Sequence, residues 1–348
     1  MLTAFFKKRN KKINFPHNKK SISGLMDGII LANKPKDLTS HDIVKKIRAI
    51  LNQKKVGHFG TLDPMATGLI LIGVGKATKL FSLYSKLTKT YKGQVQLGYS
   101  TDTYDSYGKS ISEKNTEFPS EKRIIGIIKT FKGDILQTPP PFSAKKYKGK
   151  PLYKHAREKR RINLPPNKIK IYYLNLLKYH PPFIDFETKC SSGTYIRSLA
   201  HEVGEKTGCG GHLSALKRTH ISDFSINESF TIDQISSMTH KNKINDFLIP
   251  LEELLPQFPK IILSETGASK ARNGAPIKPE DISNIRFHMG SNIKDNLSGT
   301  KQIFRLFTPR GKLVALATKN QIKGELHPFT VIDTESKNLG SKGEYYAK

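Results

Sequence analysis

The sequence predicts an α+β protein: a central mixed or antiparallel sheet flanked by helices, then a small β-rich C-terminal module. Three observations carry that reading. Residues 91–99 alternate, with Tyr91, Val95, Leu97 and Tyr99 on one face and Lys92, Gln94 and Gln96 on the other, as in a half-buried antiparallel strand. Residues 121–131 place Ile124, Ile125, Ile127, Ile128 and Phe131 at helical spacing. From about Thr266 the texture changes, and two apolar runs, 302–307 and 312–318, flank Thr308-Pro309-Arg310-Gly311, whose Pro and Gly suit a turn.

The other elements follow in chain order. Residues 28–33 form a short buried strand closed by Lys34-Pro35, because the residue before proline is biased away from helix. Thr39 and Ser40 are N-cap candidates for a helix whose apolar face is Ile43, Val44, Ile47, Ile50 and Leu51. Residues 56–70, VGHFGTLDPMATGLI, read as a glycine-rich loop. Ile184, Phe186, Thr188 and Cys190 alternate as a second strand, Gly193 breaks it, and 195–206 returns to helix before Gly208. Residues 329–332 add a C-terminal strand. The expected organisation is a basic N-terminal arm (1–24), a main domain (25–255), a small β domain (266–333) and a loose tail (334–348).

Composition limits function. Lys+Arg total 59 against Asp+Glu 29, so the formal charge is 59 − 29 = +30, with pI ≈ 9.9. Such a field favours a polyanion, because Lys and Arg release the counterions condensed on a phosphate backbone. Nucleic acid is therefore expected ahead of an anionic membrane. The two cysteines, Cys190 and Cys209, are too few for a disulfide framework and fit a reducing, cytoplasmic setting. No apolar run approaches the ~20 residues that span a bilayer. The N-terminal arm carries Lys7, Lys8, Arg9, Lys11, Lys12, Lys19 and Lys20 and no acid. Its apolar patch, 2–6, is too short for a signal peptide. It reads as an arm that touches phosphate, with an organellar presequence as the alternative.

The glycine-rich stretch poses the chemical question. In so basic a chain it has no Lys or Arg, one histidine, His58, and one acid, Asp63. Nucleotide motifs fail beside it. Ala77 follows Lys76 where a phosphate loop needs Ser or Thr, and Thr78 stands where a dinucleotide fingerprint needs glycine. His58 and Asp63 have no second ligand at metal spacing. A carboxylate acting directly remains. Such a nucleophile must be ionised and shielded from water, and burial raises its proton affinity, so a buried Asp63 needs a fixed cation. Arg197, in Ser192-Gly-Thr-Tyr-Ile-Arg197, suits that task, since arginine stays protonated and grips a carboxylate with two bonds. Read singly, Asp63-Pro64 is equally a turn starter, Arg197 a solvated helix charge, and Tyr91 a core aromatic.

Taken together and in order, these segments resemble the bacterial tRNA pseudouridine synthases of the T-arm type, the TruB family. The residues are GHFGTLDPMATGLILIGVGKATK from Gly57; Gly28-Ile-Ile-Leu-Ala-Asn-Lys-Pro35 with Thr39-Ser-His-Asp42; Lys89-Thr-Tyr91; and Gly98-Tyr-Ser-Thr-Asp-Thr-Tyr-Asp105. Further along stand Thr138-Pro-Pro-Pro-Phe-Ser-Ala-Lys145 with Tyr153-Lys-His-Ala-Arg157, Cys190-Ser-Ser-Gly-Thr-Tyr-Ile-Arg197, and Gly208-Cys-Gly-Gly-His212 with Leu216-Lys-Arg218. Ordered matches run from Gly28 to about Leu255. Asn273-Gly274 and the Arg310 hairpin are similar, more weakly, to that family's PUA-like domain.

The resemblance implies a pseudouridine-synthase fold, with 139–167 as an RNA-gripping insertion and a PUA-like domain over 266–333. It implies an isomerisation of uridine 55 in the T loop of tRNA: the glycosidic bond breaks, and the flipped uracil turns and rejoins through carbon. No cofactor and no metal are needed. Asp63 is then the nucleophile, on ribose or base, Arg197 its ion-pair partner, and Tyr91 the residue that stacks on the base and takes part in proton transfer. His58 occupies the T loop, and Tyr195 and Leu216 wall the pocket. Asp105, Lys34, Lys145 and Arg157 complete the substrate contacts. The partner implied is the tRNA T-arm, with no membrane and no protein partner, bound by a monomer.

Flipping a base costs about a few kcal/mol, which RNA contacts must supply. Residues 145–161 offer Lys145, Lys146, Lys148, Lys150, Lys154, Arg157, Lys159, Arg160 and Arg161 against Glu158 alone, and Phe142, Tyr147 and Tyr153 interleave. That is the mix for phosphate contact plus stacking. One departure stands out. The family carries a glycine shortly after its first Lys-Pro, and this chain reads Lys36-Asp37-Leu38; Asp is one of the few residues to visit the left-handed region. Two rivals stay open: a tRNA-binding folding helper, and a synthase of the same fold with another RNA target.

Overall fold

The computed structural model describes residues 26–143, 146, 147, 149–152, 158, 162, 165–286, 302–320 and 324–333. The arm 1–24, the tail 334–348, Lys145, Arg157 and part of the 139–167 insertion lie outside the described residues. The described residues up to Leu248 form one compact unit and those from Ile249 a second.

In chain order the first unit holds β1 (Gly28–Lys34), α1 (Ser40–Ile50), β2 (Val56–His58), β3 (Thr67–Val74), α2 (Phe81–Tyr84), β4 (Lys89–Leu97), α3 (Glu121–Lys129) and β5 (Gly133–Gln137). A two-residue pair, β6 (Lys146–Tyr147) and β7 (Lys150–Pro151), follows. Then come β8 (Asn167–His180), β9 (Phe183–Cys190), α4 (Ile196–Thr207), β10 (Gly211–Ile221), β11 (Phe224–Ser225) and α5 (Ile232–His240). The sheet runs β1-β3-β10-β4-β9-β8-β5, with β2 on β3 and β11 on β10. Neighbours are antiparallel except β3 and β10. Those two run parallel and pair at Thr67 with Lys217 and Gly68 with Arg218. The sheet is thus two antiparallel halves joined by a short seam, and the site lies beside that seam.

Local chemistry explains the elements that frame it. Thr39 caps α1: its hydroxyl accepts from the Asp42 amide at 3.0 Å, and the Asp42 carboxylate accepts from the Thr39 amide at 3.0 Å, a reciprocal capping box. The helix then buries Ile43, Val44 and Ile47 against β1 and β3. Along β9, exposure alternates strictly, with Ile184, Phe186, Thr188 and Cys190 buried. Ile184, Phe186 and Cys190 share a core with Ile124 and Ile128 of α3 and Leu199 and Val203 of α4. Gly208 closes α4 with φ of 85°, a left-handed stop that glycine adopts without strain.

The stretch 56–70 differs from the loop expected of it. It contains β2 and the start of β3, and only 59–66 is irregular. Glycine and proline dominate its first half, but Leu69, Ile70, Leu71, Ile72 and Val74 form a continuous buried run, the signature of a strand covered on both faces. The segment tested as a phosphate loop, Gly75–Leu80, is a 3₁₀ turn whose Lys76 amide donates to Asp27 Oδ1 at 2.6 Å.

A short strand, β12 (Leu248–Pro250), precedes the second unit's own elements. These are β13 (Lys260–Leu263), α6 (Glu265–Arg272), β14 (Ile282–Arg286), β15 (Ile303–Phe307), β16 (Leu313–Lys319) and β17 (Leu326–Val331). The sheet order is β14-β13-β15-β16-β17, with a core of Leu263, Ala268, Leu306, Ala315 and neighbours. Among the described residues no helix is long and apolar enough to cross a membrane.

Candidate active site

Asp63 sits in the irregular segment between β2 and β3, and Arg197 is the second residue of α4. Helical side chains lean toward the N-terminus, so Arg197 reaches back toward the Asp63 turn. Its Nε donates to Asp63 Oδ2 at 3.0 Å and its Nη2 to Oδ1 at 3.1 Å. The same guanidinium donates from Nη1 to the Thr103 carbonyl at 2.9 Å and from Nη2 to the Phe142 carbonyl at 3.0 Å. A second carboxylate, Asp105, stands 3.6 Å from Nε. Asp105 is itself held by Thr103 Oγ1 at 2.7 Å and the Tyr107 amide at 3.0 Å.

This corrects the expectation of a lone buried carboxylate. The Asp63 side chain is 32% exposed, whereas Arg197 and Asp105 are 6% and 9% exposed. The buried partners form the mount, and Asp63 is the part that opens outward.

It opens into a cavity of about 670 Å³. Asp63, Tyr91, Asp105, Tyr195, Arg197 and Leu216 all line it, together with Lys89, Thr103, Phe142, Ser143 and Arg218. Tyr91 is buried and pairs in register with Arg218 across β4 and β10. Burial pushes its phenol above the usual range, while the charge of Arg218 pulls the other way. Burial likewise raises the Tyr195 phenol.

Two residues from the sequence reading stand apart from the cavity wall. His58, at the end of β2, has Nδ1 3.4 Å from the Gly60 amide, and burial lowers its basicity. Lys34 is fully buried. Its Nζ donates to the carbonyls of Pro35 at 2.9 Å, Leu38 at 2.7 Å and Pro64 at 3.2 Å, and burial lowers it to about 8. It braces the turn that carries Asp63. Asp37, the departure from the glycine pattern, takes φ of 68°. Its amide donates to Pro64 at 2.8 Å and its carboxylate accepts from the Tyr107 hydroxyl.

Sequence reasoning gave Lys89, Thr103 and Arg218 no role in the pocket, and Phe142 only one in stacking on RNA. A signal existed for two of them. Lys89 and Tyr91, and Leu216 and Arg218, stand two apart on strands, so each pair shares one face. Among the described residues no group of three His, Cys, Asp or Glu is placed to hold a metal ion.

A split mixed sheet of this kind is already represented among solved structures. The chain matches the crystal structure of the archaeal box H/ACA sRNP Nop10-Cbf5 complex with a TM-score of 0.66 and 22% identity, covering 93% of this chain and 92% of that one. A Cbf5-Nop10-Gar1 complex matches with a TM-score of 0.65 and 25% identity, over 92% and 90% of the two chains. This chain shares their fold. The family itself follows from closer matches. The TruB family pseudouridylate synthase N-terminal domain matches residues 48–196, and the tRNA pseudouridylate synthase B C-terminal domain matches 197–256. The tRNA pseudouridine synthase B of Solibacter usitatus is 40% identical over 249 residues, 72% of this chain and 85% of that protein. Its counterpart from Bacillus pumilus is 35% identical over 309 residues, 87% and 96%. The chain belongs to the TruB family of pseudouridylate synthases.

Proposed function

We propose that the protein is a tRNA pseudouridine synthase that converts uridine 55 of the T loop. The observation that carries this is the two-bonded Asp63–Arg197 pair opening into a cavity of nucleotide size, beside Tyr91 and Leu216. Asp63 is the nucleophile toward the flipped nucleotide. Arg197 fixes the direction of its attack, because both carboxylate oxygens are held and the guanidinium is anchored by two carbonyls. Tyr91 offers its ring to the base, and Tyr195 and Leu216 keep water from the reacting bond. His58 enters the T loop as the base leaves it. Asp105 steadies Arg197, and Lys34 steadies the turn at Pro64.

Residues 139–167, with Lys145 and Arg157, grip the RNA backbone, and the small β-rich unit adds a PUA-like RNA contact. The basic arm supplies further phosphate contacts. The protein works as a cytoplasmic monomer without a protein partner.

The test is pseudouridine formation in an unmodified tRNA transcript, mapped by position, for wild type and Asp63→Asn. One modified site in the T loop, no product from Asp63→Asn and retained tRNA binding are expected. A wild type that binds tRNA yet makes no pseudouridine would end the reading in favour of a folding helper.

A further inference from the structure

Arg218 heads the large side chains that the fold buries completely, at 1% exposure. Its Nε donates to the Leu69 carbonyl at 2.7 Å, Nη1 to Thr61 at 3.3 Å and Nη2 to Gly60 at 3.4 Å. Among the described residues no carboxylate pairs with it. A buried charge lacking a counter-ion is costly, and an apolar side chain of similar volume is often the more stable choice. Neutral carbonyls orient the guanidinium without neutralising it.

Two further observations point to what its charge meets. Arg218 stands opposite Tyr91 in the β4–β10 register and lines the same cavity. The charges lining the cavity include the buried Lys89, Arg197 and Arg218 against the buried Asp105 and the partly exposed Asp63, with the buried Lys34 just beyond the wall. Lys34 and Lys89 are each lowered to about 8, chiefly by burial, and at Lys89 the charge of Arg218 adds to it.

We infer that Arg218 stabilises the negative charge that the pyrimidine carries while it is detached from the ribose. The inference rests on the synthase reading above. When the C1′–N1 bond breaks, its electron pair leaves with the base and spreads over N1, O2 and O4. If Asp63 adds to C1′, an O–C1′ bond replaces the broken one. If it adds to C6 instead, a pair moves first onto O4. By either route the base becomes anionic, then gives a pair to form C5–C1′; the Asp63 oxygen leaves with its bonding pair, from C1′ as that bond forms or from C6 as C5 loses its proton, and the C5 proton ends on N1. Nothing is oxidised or reduced. A cation fixed beforehand in a water-poor pocket lowers the barrier to such charge. Arg218 acts at one remove, beside its cross-strand neighbour Tyr91, and so is a positioning residue of the field. The rival role is mechanical, a clamp on the carbonyls flanking the Asp63 turn.

Single-turnover rates of the full chain separate the two. The variants are R218Q and R218K, and the substrates are a tRNA transcript and the same transcript with 5-fluorouridine at the target. Melting and tRNA binding are measured alongside. The readout is the change of attachment of the base from nitrogen to carbon. R218Q should slow it about 100-fold or more while binding tRNA within about threefold of wild type, and R218K should regain about tenfold. The R218Q defect should shrink about tenfold on the fluorinated base, because fluorine itself stabilises the anion. If R218Q does not fold, R218K carries the test, and its smaller defect must still shrink on 5-fluorouridine. Equal defects on both substrates, R218K no better than a folded R218Q, or a loss below about threefold would each overturn the inference and leave the clamp. A wild type that makes no pseudouridine would instead remove the synthase reading beneath it, a failure visible before any variant is assayed.

Discussion

Arg197 serves two carboxylates at once, binding Asp63 through bonds of 3.0 and 3.1 Å and standing 3.6 Å from Asp105. Its remaining donors hold the Thr103 and Phe142 carbonyls. Three loops distant in sequence thus converge on one planar group. Lysine offers the same charge as a point, without the fork. Arg197→Lys should therefore lose about 100-fold or more in single-turnover rate. It should also melt lower, because at least one buried carbonyl is left unpaired, at about 1–3 kcal/mol. A variant retaining a third of the wild-type rate would show that the fork is dispensable.

Lys89 carries a pH signature. Burial, with Arg218 nearby, lowers it from 10.5 to about 8. Below pH 8 it is protonated in both folded and unfolded chains, and the folded state bears the whole penalty of the buried charge. Between about pH 8 and 10.5 the unfolded chain binds more protons, so this group makes stability rise with pH. The shift corresponds to at most about 3 kcal/mol. Lys89→Met should remove that slope. Urea unfolding of both proteins at several pH values checks it: the stability of wild type relative to the variant should climb across this window. Parallel curves would mean that Lys89 is not held as a buried ammonium.

Much of this was legible in the sequence, for stated reasons. β9 and α4 announce themselves because their buried positions are apolar and periodic. Asp63 emerged by elimination, and Arg197 by the demand for a cation that keeps its proton. β10 stayed hidden because it buries His212, Arg218 and Thr219, so its hydrophobic pattern is broken where it approaches the site. Asp105 was quoted only as part of a resemblance, since nothing local marks a carboxylate whose role depends on a helix far along the chain. β3 was hidden by the glycines and proline just before it.

Asp37 tests a local rule. Its φ of 68° lies where non-glycine residues are strained, yet its carboxylate engages Tyr107 and its amide holds Pro64. Asp37→Gly should change stability by less than about 1 kcal/mol, relief of strain offsetting a lost exposed hydrogen bond. Asp37→Val, β-branched, should cost about 1–3 kcal/mol and slow the reaction, because the turn it shares with Pro64 adjoins Asp63. Equal melting temperatures for the two variants would contradict this account of the turn.

The seam between the two half-sheets should be the most sensitive point of the scaffold. Gly68 takes φ of 108°, and a Cβ there would lie 2.4 Å from the Arg218 carbonyl oxygen and 2.9 Å from its amide nitrogen. Both are backbone atoms, so no side chain can move aside. Gly68→Ala must therefore force β3 away from β10 at one of the two residue pairs that join them. That displaces Arg218 and, through its bonds to Gly60 and Thr61, the turn carrying Asp63. A cost above about 2 kcal/mol is expected, read as a melting decrease of roughly 4–8 °C for a unit of this size, with activity falling further than stability alone explains. Ala substituted at Gly126, where a Cβ meets nothing within 4 Å, is the control and should leave both unchanged or slightly stabilise α3. If Gly68→Ala behaves like that control, the seam is not what holds the site together.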